Sequence, residues 1–170
     1  IEGKFRLRFM SNHPKDMTEE VIVAIANNPH ACKAIHLPVQ SGSNHVLKLM
    51  NRKYTREKYL EEIELIRKYM PSCAITTDII VGFPQETEEE FAETTAFLKK
   101  CRFSFLHVFP YSPRQGTKAA AMKGQVDPKI KKERAAVCLQ LSEQLAAEYR
   151  RTWCGREAEV IMEETEDGYT

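Results

Sequence analysis

Over residues 5–10 apolar and polar positions alternate, with Phe5, Leu7 and Phe9 on one face and Arg6 and Arg8 on the other. That period of two predicts a strand. Ser11-Asn12-His13-Pro14-Lys15 interrupts it, and Asp16 with Glu19 three residues later has capping-box spacing. A helix is expected from there to about residue 27, burying Val21, Ile22 and Ile25 and stopped by Asn28-Pro29. Residues 34–39 read as the next strand, and Gln40-Ser41-Gly42-Ser43 as the loop that leaves it.

A short helix is expected over 44–50 and a longer one over 56–69, where Tyr59, Ile63 and Ile66 recur at helical spacing before Pro71. Residues 74–81 are β-branched and nearly continuous in apolarity, as in strands buried on both faces of a parallel sheet. Gly82-Phe83-Pro84 turns the chain, and Thr87 with Glu90 opens a helix reaching about residue 100. Residues 103–109 form a fourth strand, and a Pro-, Gly- and Ser-rich loop follows to 125. Asp127 caps a long helix with Pro128 at its first position. Its expected buried stripe is Ile130, Val137, Leu141, Leu145 and Tyr149, and its many charges suit a solvated outer face.

Strands alternating with helices at this spacing specify a parallel α/β fold. Four parallel strands do not close a barrel, so the expectation is a partial (β/α) barrel whose missing strands precede residue 1. The absence of an initiating Met also suggests a start inside a longer gene product. After Gly155 the pattern changes to a strand over 158–162 and a Glu166-Asp167-Gly168 hairpin signal. Residues 1–154 therefore read as barrel with its last long helix, and 155–170 as the start of a small all-β domain.

Composition narrows the function little. Basic and acidic side chains number 25 and 24, so no basic surface announces nucleic acid. No apolar run reaches the roughly 18 residues of a membrane helix, and no signal peptide is visible. The five cysteines, Cys32, Cys73, Cys101, Cys138 and Cys154, are scattered. They exclude a local metal knuckle and fit reduced, buried thiols of a cytoplasmic protein. His13, His36 and His107 each lie near a strand and could meet at a metal. Without a carboxylate at ligand spacing they read as structural, and no metal ligand is assigned.

In parallel α/β proteins functional groups collect at the C-terminal ends of strands. Those ends deliver Ser11-Asn12-His13, Gln40-Ser41-Gly42-Ser43, Gly82-Phe83-Pro84-Gln85-Glu86 and Tyr111-Ser112-Pro113-Arg114-Gln115-Gly116-Thr117. Glycines allow close backbone approach, and the neutral donors suit an adenosine-like or amino-acid ligand better than a bare phosphate. The same loops also serve as a helix cap and a turn.

His36-Leu37-Pro38-Val39-Gln40-Ser41-Gly42-Ser43 resembles the HLPVQSGS motif of radical-SAM methylthiotransferases. Met50-Asn51-Arg52 with Tyr54-Thr55 is similar as well. The run from Thr77 to Glu88 resembles the family's TDIIVGFPGETEE, and Phe109 to Thr117 its FPYSPRPGT. Gln85 stands where the family has Gly, and Gln115 where it has Pro, which implies altered loop geometry. The family's CxxxCxxC has no counterpart here, so its cluster cysteines are expected outside this chain. The final residues resemble the start of a TRAM domain, which in that family binds tRNA.

The resemblance implies a radical-SAM (TIM-like) barrel and an enzyme with two 4Fe-4S clusters and S-adenosylmethionine. Its reaction inserts a methylthio group into a modified adenosine beside the tRNA anticodon; the 107–113 and 131–134 segments favour the threonylcarbamoyl type, while His13-Pro14-Lys15-Asp16 and His36 also resemble the isopentenyl branch. A related branch acts on an aspartate of a ribosomal protein. The residues implied to contact S-adenosylmethionine are Gln40, Ser41, Ser43, Val81, Gly82, Phe83 and Tyr111. This segment alone is expected to be inactive and to self-associate through exposed barrel edges. A non-redox (β/α)-barrel lyase would need a strand-end lysine or metal-binding carboxylate, and an RNA-binding module would need a basic face.

Overall fold

The computed structural model describes residues 3, 5–10 and 12–158. Three parallel strands lie in sequential order, β1 (Ala34–His36), β2 (Ala74–Val81) and β3 (Phe105–Pro110). Parallel neighbours need crossovers. Here α2 (Asn44–Leu49) and α3 (Arg56–Tyr69) join β1 to β2, and α4 (Glu88–Cys101) joins β2 to β3. A first helix, α1 (Glu19–Asn27), precedes β1, and α5 (Pro128–Arg151) packs back on β3. This is the α/β alternation of the predicted partial barrel.

Burial along β2 alternates strictly. Ile75, Thr77, Ile79 and Val81 are buried, and the three aliphatic ones join a core with Ile22, Tyr59, Ile63, Leu98 and Leu141 from the helices. Ala74, Thr76, Asp78 and Ile80 turn to the other, open face. Register puts His36 beside Thr76, Phe105 beside Thr76, His107 beside Asp78 and Phe109 beside Ile80 on that face. It is poorly covered, with Phe105 at 45% and Phe109 at 50% exposure.

Residues 5–10 run parallel to β1 without forming a full strand. Leu7 makes an isolated bridge to Ala31, and Asn12 N donates to His36 O at 3.1 Å. With a neighbour on one side only among the described residues, the ladder stays incomplete. α1 is capped by Thr18 rather than Asp16, which lies in a one-turn 3-10 helix (Pro14–Asp16). Val21 is exposed, leaving Ile22 and Ile25 as its buried face.

The larger correction concerns α5. Ile130 and Val137 are exposed, while Lys131, Arg134, Ala135 and Cys138 are buried ahead of Leu141 and Leu145. The first turns of this helix bury charge because they serve the strand ends. The expected strand over 158–162 and the hairpin over 166–168 fall almost wholly outside the described residues.

Candidate cofactor groove at the strand ends

Pro38 has no N–H to give the sheet, so the β1–β2 ladder cannot continue past it unaided. Leu37 N donates to Thr76 O, and the next regular bond is Gln40 N to Asp78 O at 2.9 Å. Three residues on one strand thus oppose two on the other, which is a bulge. Thr77 fills the gap, its hydroxyl accepting from Val39 N at 2.9 Å and donating to Leu37 O at 2.8 Å. The carbonyls freed by the bulge are covered by Tyr59 and Tyr54, whose hydroxyls donate to Leu37 O and to Pro38 and Val39 O. Gln40 leaves the bulge with φ +70°, in the left-handed region.

That conformation sets Gln40 into a groove of about 500 Å³ with Asp78, Ile80, Phe109, Tyr111, Arg114 and Thr117. Of the seven residues expected to contact a ligand, Gln40 and Tyr111 line it. Ser41, Ser43, Val81, Gly82 and Phe83 do not. Ser41 is wholly buried and its hydroxyl accepts from Ser43 N, 3.3 Å from the Thr94 hydroxyl. Ser43 caps α2 by accepting from Val46 N and donates to Glu90 Oε1. Between them Gly42 lies so close to α4 that a Cβ would fall 2.7 Å from Thr94 Cα and 2.8 Å from Phe97 Cβ.

Val81, Gly82 and Phe83 support the groove from beneath. Phe83 is buried and meets the Tyr111 ring edge-on at 5.1 Å. Tyr111 N donates to Val81 O at 2.8 Å. Gly82 has φ +69°, and a side chain there would collide with the Lys131 stem. Lys131 crosses at that point to donate to Tyr111 O at 3.1 Å, with its ammonium 5.1 Å from the Tyr111 ring centroid. Glu86 Oε2 accepts from Gly82 N at 2.7 Å and from Arg134 at 2.6 Å. Burial pushes the Glu86 carboxyl up, against the pull of the Gly82 N–H and the guanidinium. Gln85 has φ +71°, a backbone that glycine adopts without strain, and is held by Gly124 O and Lys123 O.

The open face brings a second set together. His36 Nε2 lies 3.3 Å from Asp78 Oδ1, and its Nδ1 lies 2.8 Å from the Thr76 hydroxyl. The His107 ring meets His36 edge-on at 5.3 Å. His13 goes elsewhere, accepting from Lys15 N and meeting the Tyr54 ring. The carboxylate that sequence spacing could not find therefore comes from the adjacent strand.

Residues 1–98 match the Radical SAM superfamily. The chain belongs to that superfamily. It is 45% identical over 168 residues, 99% of its length, to the tRNA-2-methylthio-N(6)-dimethylallyladenosine synthase of Aquifex aeolicus (strain VF5). It is 49% identical over 163 residues to the synthase of that name from Thermoanaerobacter pseudethanolicus. The chain covers 38% and 35% of those proteins, so it spans about a third of their length. Coproporphyrinogen III oxidase of Escherichia coli, a radical SAM enzyme, superposes with a TM-score of 0.64 over 78% of this chain and 31% of its own, at 19% identity. That likeness concerns the fold.

Membership implies S-adenosylmethionine and a 4Fe-4S cluster as cofactors. The residues present suit the first. The Tyr111 hydroxyl is buried with no partner, and the groove's volume falls within the roughly 300–1,000 Å³ typical of small-ligand sites. They do not suit the second, which needs clustered thiolates. Cys73 just before β2, Cys101 on α4 and Cys138 on α5 are buried apart from one another, their thiols pushed by burial to about 11, 12 and 12. Cys32 is half-buried and Cys154 exposed, and among the described residues no cysteine belongs to a cluster of three or more metal-ligating side chains.

Proposed function

We propose that this chain is the C-terminal part of the barrel of a methylthiotransferase that modifies an adenosine beside the tRNA anticodon. The carrying observation is 45–49% identity along nearly the whole chain to synthases named for that reaction. Residues 1–154 are assigned to the barrel and 155–170 to the start of a TRAM domain. We take N6-dimethylallyladenosine as the substrate, because the relatives bear that name. This replaces the threonylcarbamoyl type favoured by short segments alone, and the ribosomal-protein branch becomes the alternative. A tRNA substrate fits a cytoplasmic enzyme. No helix among the described residues is long and apolar enough to cross a membrane.

S-adenosylmethionine, reduced at a cluster held outside this chain, supplies the radical chemistry when bound. The groove's own residues orient it. Tyr111 offers an unspent hydroxyl and Gln40 an amide. Arg114 suits the methionyl carboxylate. Asp78 suits the ammonium or a ribose hydroxyl. Phe109 and Ile80 give the adenine an apolar wall and exclude water. Ser41, Ser43, Val81, Gly82 and Phe83 act by holding the two loops in place, with Lys131 and Arg134 bracing the second.

The reading is tested in cells by disrupting the gene for the whole protein and analysing tRNA nucleosides by mass spectrometry. Loss of the methylthio form with accumulation of N6-dimethylallyladenosine supports it. Unchanged methylthiolation of that nucleoside refutes it.

A further inference from the structure

Two imidazoles and a carboxylate from three adjacent strands converge on the open face, and the carboxylate, Asp78, also lines the groove. Their ligand atoms all lie within 4.8 Å of one another. We propose that His36, Asp78 and His107 form a binding site for a divalent first-row transition cation, for which Zn²⁺ is the best match. It does not depend on the methylthiotransferase reading, although Asp78 also lines the groove assigned there to S-adenosylmethionine.

The spacing carries the argument first. In a tetrahedral zinc site with bonds of about 2.0–2.1 Å, neighbouring ligand atoms are about 3.3–3.4 Å apart. His36 Nε2 and Asp78 Oδ1 are separated by 3.3 Å. His107 is the most exposed of the three, and its ligand atom lies within 4.8 Å of both others.

Orientation comes second. A metal-bound histidine usually has its other ring nitrogen fixed by a hydrogen bond. His36 Nδ1 has such a partner in the Thr76 hydroxyl at 2.8 Å. Once Nδ1–H donates to Thr76, Nε2 turns a lone pair toward the Asp78 carboxylate, and a cation between them removes the repulsion. Without a cation, the Thr76 hydroxyl donates to Nδ1 and Nε2–H donates to Asp78, so both states use the same heavy-atom positions.

Access comes third. The His36 side chain is 10% exposed and that of Asp78 26%, so the site opens on one side. Three protein ligands with one open position is the arrangement of a zinc site that can take water or a ligand. The strands that carry it are rigid, which favours a preformed geometry.

Cobalt(II) titration of the chain, followed by visible absorption and competed with Zn²⁺, tests the proposal. Cys154→Ser is used as background, because an exposed thiolate also binds these ions. The expected result is one saturable equivalent with intense visible bands, abolished in both His36→Ala and His107→Ala. Thr76→Val should weaken affinity by about 10–100-fold, and His45→Ala should leave it unchanged. Because His107 is exposed, His107→Ala remains informative even if His36→Ala misfolds. Absence of the bands, or their persistence in His107→Ala, overturns the proposal.

Discussion

Arg134 Nη1 donates to Glu86 Oε2 at 2.6 Å, with the two side chains only 6% and 1% exposed. The pair ties the start of α5 to the loop after β2, and the same Glu86 oxygen accepts from Gly82 N. Breaking such a pair from one side strands the other charge. Arg134→Met is expected to cost about 3–5 kcal/mol, and Glu86→Gln in that background should restore part of the loss. Chemical denaturation of the four species checks this, and simple additivity would count against the pair.

Glycine at 42 and at 82 answers to different neighbours, and the two should respond differently to alanine. Gly42 faces the α4 backbone, which cannot yield, whereas Gly82 faces the flexible Lys131 stem at a positive φ. Gly42→Ala is expected to be the more damaging, and Gly82→Ala to cost about 1–3 kcal/mol from backbone strain with some crowding. Adding Lys131→Ala should relieve the crowding at 82 and do nothing for 42. Thermal melts of the single and double variants decide it.

Stability should also depend on pH through Glu62 on α3. Burial pushes this carboxyl from its ordinary 4.5 to about 7, and its Oε2 has no partner. The folded state therefore holds the proton more tightly than the unfolded chain. The resulting contribution is full below about 4.5 and is lost as pH rises through about 7. Glu62→Gln should raise stability by about 1–2 kcal/mol at pH 8 and change little at pH 4.5, part of the carboxyl's cost being screened by solvent. Equal effects at both pH values would contradict the assignment.

The open face should make the isolated chain associate. Leu7, Phe105 and Phe109 are each about half exposed, and the pocket between 5–10 and α1 is lined by Leu7, Phe9 and Val21. Uncovered apolar surface of this kind recruits other chains. Light scattering over a concentration series should show mass rising with concentration, and Phe105→Asp with Phe109→Asp should suppress the rise. A monomer at all concentrations would show that the face covers itself.

Most of the elements were legible because their signals are local. The 56–69 helix and the 74–81 strand have the predicted bounds, and Thr87 with Glu90 forms both bonds of its capping box. What local pattern could not show was burial decided by a distant partner. Lys131 and Arg134 look like surface charge until the loops after β3 and β2 present Tyr111 O and Glu86 to them. Asp78 sits in an apolar run, and only strand register puts it beside His36 and His107. The Gln40-Ser41-Gly42-Ser43 loop stands out in the sequence, but Ser41 and Ser43 bond Thr94, Glu90 and the α2 terminus and do not line the groove. A capping serine and a ligand-binding serine look alike in sequence.

The most direct measurement is the reaction itself. The whole protein that contains this segment, purified without oxygen, is given S-adenosylmethionine, a reductant and tRNA carrying either N6-dimethylallyladenosine or N6-threonylcarbamoyladenosine. Digested nucleosides are then read by mass spectrometry. Methylthiolation of the dimethylallyl substrate, reduced when Tyr111→Phe or Arg114→Ala alters the groove, is the predicted result. Turnover of neither tRNA, or of the threonylcarbamoyl tRNA alone, by a protein with its full iron content would contradict it.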